Sequence, residues 1–139
     1  MTETYELLEH TADMGVRARA ATLAGLIRPC TAGLYAVIGQ LVPTGDAQPW
    51  QFEAVGDDIA LLLRDYLGEV LALFAADGQL IEIREVPEFS PQRLTVLGLR
   101  RPIDPGRSIV QREAKAVTYH ELSVREVPGG YEAVFIVDI

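Results

Sequence analysis

The apolar positions of this chain change period several times, and the changes mark out its elements. Met14, Val16, Ala18 and Ala20 alternate with Gly15, Arg17 and Arg19, a period of two that predicts a half-buried β-strand. A short strand from Tyr5 to Leu8 precedes it. Arg17 and Arg19 fall on the polar face, where they read as solvated charges of an edge strand. From Leu23 onward the period changes. Leu23, Leu26, Ile27, Cys30, Leu34, Val37, Ile38 and Leu41 recur at spacings of three and four, one face of a long helix. Thr22 is placed to cap it and Gly39 to end it. Pro29 lies inside the run and lacks a backbone donor, so a kink or split is expected near Arg28.

Pro43-Thr44-Gly45-Asp46 reads as a loop, and Trp50, Phe52 and Ala54 as one face of a short strand. The most regular stripe is Ile59, Leu62, Leu63, Tyr66, Leu67, Val70, Leu71 and Phe74, a second helix. Asp57 or Asp58 caps its start, and Asp77-Gly78 supplies a left-handed stop. Strands follow, with Leu80 to Val86 alternating and Pro87 to Pro91 turning. Leu94 to Leu99 is apolar in both parities, which predicts cover on both faces. Arg100 to Arg107 reads as a loop turned by Asp104-Pro105-Gly106. Its three arginines are either solvated charge or a basic binding loop. Between Lys115 and Val127 the apolar phase slips at His120-Glu121, which signals a bulge or a break between two strands. Pro128-Gly129-Gly130 forms a hairpin turn. Tyr131 to Ile139 is apolar on both faces and reads as a central strand. The order predicts an α+β fold, with two helices packed on a mixed, mostly antiparallel β-sheet system in one domain over residues 1–139.

Composition narrows the function. The 139 residues suffice for one real core, and the formal net charge is −8. Phosphate backbones are gripped mainly by clustered Lys and Arg, so strong direct nucleic-acid binding is not expected. An acidic chain favours a cation or a basic protein surface as its partner. Cys30 is the single cysteine, so no internal disulfide forms, in keeping with a reducing cytoplasm. At an apolar helical position it reads as a small core residue. Met1-Thr2-Glu3-Thr4 carries no basic or apolar leader pattern. No apolar run reaches the roughly 18 residues of a membrane span.

Candidate chemistry concentrates at the two ends. Glu9-His10-Thr11-Ala12-Asp13 packs two carboxylates and an imidazole into one short stretch. Asp138 and the α-carboxylate of Ile139 close the chain. If an acid of the first stretch meets those of the last, they form an all-oxygen site for a hard cation. Taken singly, Asp13 reads as a turn acid, His10 as a hydrogen-bonded structural residue and Lys115 as a surface charge. One Cys and two His cannot make the usual zinc sets. Neither a nucleophile–base motif nor a Gly-rich phosphate loop occurs, and no catalytic residue is assigned.

Four segments together resemble the archease family across the whole chain, in order and at the right spacing. They are Leu8-Glu9-His10-Thr11-Ala12-Asp13-Met14-Gly15, Val55-Gly56-Asp57-Asp58, Glu113-Ala114-Lys115-Ala116-Val117-Thr118-Tyr119-His120 and Val137-Asp138-Ile139. Pro29 and the basic Arg100–Arg107 stretch depart from the family pattern. The resemblance implies a small accessory protein, not itself an enzyme, that assists the tRNA-splicing RNA ligase. Such proteins promote guanylylation of the ligase's active-site histidine and let the ligase turn over repeatedly. It implies a metal site on Asp13, Asp138 and Ile139, with Ca2+, Mg2+ or Mn2+ as the cofactor. It implies a functional lysine at Lys115, grouped with His10 as a contact to the partner or to a nucleotide phosphate. GTP would be met only through the ligase. Two other readings compete: a general chaperone or modulator of nucleic-acid-modifying proteins, and a stand-alone metal-dependent phosphoesterase built on the same carboxylates.

Overall fold

The structure, a computed structural model, describes residues 1–139. The strands β1 (Thr4–Glu9) and β2 (Asp13–Ala20) form a hairpin, and a 3-10 turn at Ala24–Leu26 leads into α1 (Ile27–Ile38). Then come β3 (Gly39–Gln40), β4 (Gln48–Val55), α2 (Ile59–Asp77), β5 (Gln79–Phe89) and β6 (Arg93–Pro102). The chain closes with β7 (Ile109–Val110), β8 (Ala116–Val117), β9 (Ser123–Val127) and β10 (Gly130–Asp138). Every strand pair is antiparallel, and the α+β expectation holds.

One sheet runs β1-β2-β10, with β8 and β9 sharing the far side of β10; a second runs β4-β6-β5, and β3 pairs with β7. The apolar parity of each strand selects its inner face. Met14, Val16, Ala18 and Ala20 of β2 and Ala133, Phe135 and Val137 of β10 all enter the core. The same cluster takes in Leu62, Leu63, Tyr66 and Leu67 of α2 and Leu94 and Val96 of β6. Each such large side chain fully buried is worth about 1.5–3 kcal/mol against exposure. Gly33 lets α1 lie close on the first sheet, because a Cβ there would stand 2.5 Å from Val16 Cγ1. The two helices share one buried polar link: the Tyr66 hydroxyl donates to Thr31 Oγ1 at 2.7 Å, while Thr31 donates to the Ile27 carbonyl at 2.7 Å. Burial pushes the Tyr66 hydroxyl pKa above its ordinary value.

The capping residues behave as their chemistry requires. Asp58 Oδ1 accepts from the N–H groups of Ala60 (2.9 Å) and Leu61 (3.2 Å) at the start of α2. Gly78, with φ 62°, ends that helix in the left-handed region. Pro29 does not break α1. The helix begins at Ile27, so Pro29 sits in its first turn, where a backbone N–H has no intrahelical partner to lose. The expected split falls earlier, at the 3-10 turn, where Gly25 N–H donates to Thr22 Oγ1 at 3.0 Å.

Other elements depart from the periodic reading for tertiary reasons. β2 lies between β1 and β10, so Arg17 and Arg19 are not edge charges. β5 continues past Val86 to Phe89, because an edge strand tolerates Pro87, and register shifts after Ile83 and Glu85 absorb the irregularity. Arg100 and Arg101 belong to β6 instead of a loop. Leu94 and Val96 are buried while Leu97 and Leu99 are only partly covered, since α2 packs on one face of that sheet. The slip at His120-Glu121 is a break: β8 and β9 are separate strands, and Glu121 turns between them with φ 53°. Lys115 precedes β8 instead of lying within a strand. No helix is long and apolar enough to cross a membrane.

Candidate functional site

The β1–β2 turn carries the first acidic stretch. His10 N–H donates to the Asp13 carbonyl at 3.2 Å and closes the turn. Glu9 pairs with Met14, whose side chain enters the core, so Glu9 lies on the inner-facing parity and not beside Asp13. Asp13 instead stands directly opposite Asp138 in the β2–β10 ladder. Facing residues of an antiparallel pair project from the same side of the sheet, which brings these two carboxylates together on the outer face. Of the two acids in the opening stretch, the register therefore selects Asp13.

The end of β10 is held on its other side as well. Lys115 N–H donates to the Asp138 carbonyl at 2.7 Å, Ala116 pairs with Asp138, and Thr118 N–H donates to the Ile136 carbonyl at 2.9 Å. This backbone bond fixes Lys115 beside the strand end and leaves its side chain exposed. His10 is likewise exposed on the turn. Ile139 is partly buried and packs against the core.

The rim is acidic and leaves its carboxylates without partners inside the fold. Asp13 Oδ1 is buried and has no hydrogen-bond partner. Neither Asp13 nor Asp138 takes part in an ion pair. Carboxylates placed like this repel each other, and a bound cation relieves the repulsion. No group of three His, Cys, Asp or Glu side chains gathers anywhere in the fold in a way that could hold a metal. The rim offers two side-chain carboxylates, Asp13 and Asp138, and no third such side chain.

The remaining sequence candidates are accounted for elsewhere. Asp58 caps α2. Arg100 donates to Gln48 Oε1 at 2.7 Å, and Arg101 donates to Glu82 Oε2 at 3.1 Å and to the Gly45 carbonyl at 2.8 Å. Arg107 stands 4.0 Å from Asp104 Oδ2. Arg100 and Arg101 are thus held at the sheet, which leaves Arg107 as the one largely exposed arginine of the segment.

Periodicity missed one polar cluster. Glu132 is buried on the outer face of β10, ringed by Arg17, Arg19 and Arg125. The signal was an acid inside an otherwise apolar strand, in the same chain as two arginines of one strand parity.

The model of the archease protein family matches residues 5–139. The chain belongs to the archease family. An archease from Methanopyrus kandleri is 34% identical over 138 residues, covering 97% of this chain and 99% of that protein. An archease-like protein of Drosophila melanogaster is 28% identical, covering 97% of this chain and 90% of its own length. The fold is shared with an archease from Thermotoga maritima described as a possible chaperone, with TM-score 0.69, 18% identity and 95% and 94% of the two chains covered. The solution structure of protein 1598 of Methanobacterium thermoautotrophicum gives a TM-score of 0.72 at 20% identity, covering 97% of this chain and 98% of that one. The archease family match thus spans both chain ends that build the rim.

Proposed function

We propose that this archease is an accessory protein that activates the tRNA-splicing RNA ligase, promoting its guanylylation and multiple turnover in tRNA splicing and RNA repair. The observation that carries the reading is the pairing of Asp13 with Asp138 at an exposed rim beside Lys115, with Asp13 Oδ1 unpartnered. In this reading Asp13, Asp138 and the carboxylate ending the chain at Ile139 hold a divalent cation such as Ca2+, Mg2+ or Mn2+. That ion supplies neutralisation of phosphate charge next to GTP in the ligase. Lys115 is exposed with no ion partner and meets a phosphate as a point charge, while His10 offers a hydrogen-bonding contact to the partner. The protein acts in the cytoplasm, meets GTP only through the ligase and leaves RNA to the ligase's own basic surface, consistent with a net charge of −8.

The deciding assay is guanylylation of the cognate ligase with and without this protein, followed by multiple-turnover ligation. Stimulation of both is expected, and no stimulation of either would overturn the reading. A general chaperone of nucleic-acid-modifying proteins is the second reading, favoured by the description of the Thermotoga maritima protein. Capture of many unrelated modifying enzymes, with no preference for the ligase, would select it. A stand-alone phosphoesterase would change labelled RNA in the presence of metal and this protein alone; it is the weaker reading, since no group of three His, Cys, Asp or Glu side chains gathers to hold a metal.

A further inference from the structure

The cluster around Glu132 is built to present arginines. The Glu132 side chain is only 4% exposed, inside the central strand of its sheet. Register explains the ring, since Arg19 faces Glu132 across β2–β10 and Arg125 faces it across β9–β10. Arg125 donates to Oε1 through Nη2 at 2.8 Å and Nε at 3.2 Å, and Arg19 donates to Oε2 through Nε at 3.0 Å. Arg17 Nε stands 3.8 Å from the same oxygen, and its Nη1 donates to Glu6 Oε1 at 3.0 Å. Both Nη groups of Arg19 and one of Arg125 are left without a partner. Three guanidiniums stand against two carboxylates, a local positive surplus on a chain of net charge −8. An open cleft of ≈ 370 Å³ lies alongside, lined by Met1, Arg19, Arg125, Val127, Pro128 and Glu132.

We propose that this cleft is a docking site for an acidic segment of the partner protein, an Asp- or Glu-bearing loop. The proposal rests on the accessory-protein reading above. Glu132 acts as an internal counter-ion that holds two forks in fixed orientation, so their outward nitrogens are pre-organised for a carboxylate. The cleft has room for one or two acidic side chains, and Val127 and Pro128 give it an apolar wall. A long polyanion would meet the repulsion of the whole chain, whereas a short acidic loop engages only the local surplus. The site is continuous with the rim. Arg17 lies four residues from Asp13 on the same face of β2, about 13 Å at the usual rise per residue. Between them Gly15 is covered by Leu8 and Ile136, of which Leu8 is partly exposed, so the intervening surface is apolar. One partner surface can therefore span both ends, meeting acid and cation at the rim and arginine at the cleft, and the opposite signs fix its direction of approach.

The test uses the triple variant Arg19→Gln, Arg125→Gln, Glu132→Gln, which removes the buried charge together with its partners and so avoids an unpaired carboxylate. A short fluorescein-labelled Glu-rich peptide and a labelled single-stranded RNA are titrated against wild type and variant by anisotropy at low salt. Ligase affinity and calorimetric Mn2+ binding are measured in parallel, and circular dichroism confirms the variant's fold. The expected result is peptide binding that falls at least about tenfold in the variant, weaker ligase binding and unchanged Mn2+ affinity. Peptide affinity equal in both proteins overturns the proposal. So does cluster-dependent RNA binding tighter than peptide binding, which makes the site a phosphate site. If wild type fails to engage the ligase but binds the peptide through the cluster, the ligase reading falls and the acidic-segment site stands. If the variant unfolds, Arg19→Gln alone, which leaves Arg125 on Glu132, carries the same comparison.

Discussion

Asp13 and Asp138 face each other across the β2–β10 ladder, joining the second strand of the chain to its last with two like charges. Like charges directly opposite in a sheet cost about 0.2–1 kcal/mol. Asp13→Asn should therefore raise the metal-free melting temperature and, by removing a ligand, abolish the further rise that Ca2+ or Mn2+ gives wild type. A few residues added after Ile139 should also abolish the metal-dependent rise, by turning its carboxylate into an amide, while an N-terminal extension should not. Thermal melts with and without divalent ion read both effects. A metal-dependent shift of wild-type size in Asp13→Asn would remove Asp13 from the site.

Lys115 touches the strand end through its backbone and leaves its side chain free. Lys115→Ala should keep the unfolding free energy within about 0.5 kcal/mol of wild type, as exposed substitutions do. It should impair multiple-turnover ligation by the cognate ligase. Unimpaired turnover would take Lys115 out of the mechanism.

Cys30 is fully buried on α1, and burial pushes its thiol pKa up, so the reactive thiolate is suppressed. The folded protein should resist alkylation until it is unfolded by denaturant. Cys30→Ser should cost about 1–3 kcal/mol by burying a hydroxyl, without loss of ligase activation in the protein that remains folded. Denaturant melts and mass spectrometry check the two halves.

Glu132 ties pH to stability. The Arg125 hydrogen bonds, and after them Arg19, hold its carboxyl below the usual range against the opposing effect of burial. A lowered folded-state pKa stabilises the fold fully above the unfolded value of about 4.3, and the contribution fades as pH falls through the folded value. Glu132→Gln should thus cost about 1–2 kcal/mol near neutrality, limited by solvent around the half-exposed arginines. The gap to wild type should close as pH drops below about 4. Parallel denaturant melts across pH check this, and a gap that is absent or does not change with pH would show that the ion pairs contribute nothing.

Local chemistry was legible wherever one residue's own backbone decides the outcome. The α2 stripe, its Asp58 cap and its Gly78 stop need only side-chain period, a carboxylate near free N–H groups and a left-handed φ. The slip at His120-Glu121 showed that the strand changes there, while the choice between bulge and break depended on how β8 and β9 share the flank of β10. Pro87 looked like a turn because periodicity cannot tell an edge strand from an interior one.

The sequence by itself determined the α+β class, both helices, the central character of the last strand and the two acidic ends that carry the candidate site. These follow from hydrophobic period and residue chemistry, which are local. Tertiary structure decided what stands opposite what. Only the β2–β10 register put Asp13, and not Glu9, against Asp138, and only the two registers around Glu132 turned three scattered arginines into one cluster. A shift of one residue would send every side chain of a strand to the other face. That choice belongs to the packing of distant segments, which no local pattern encodes.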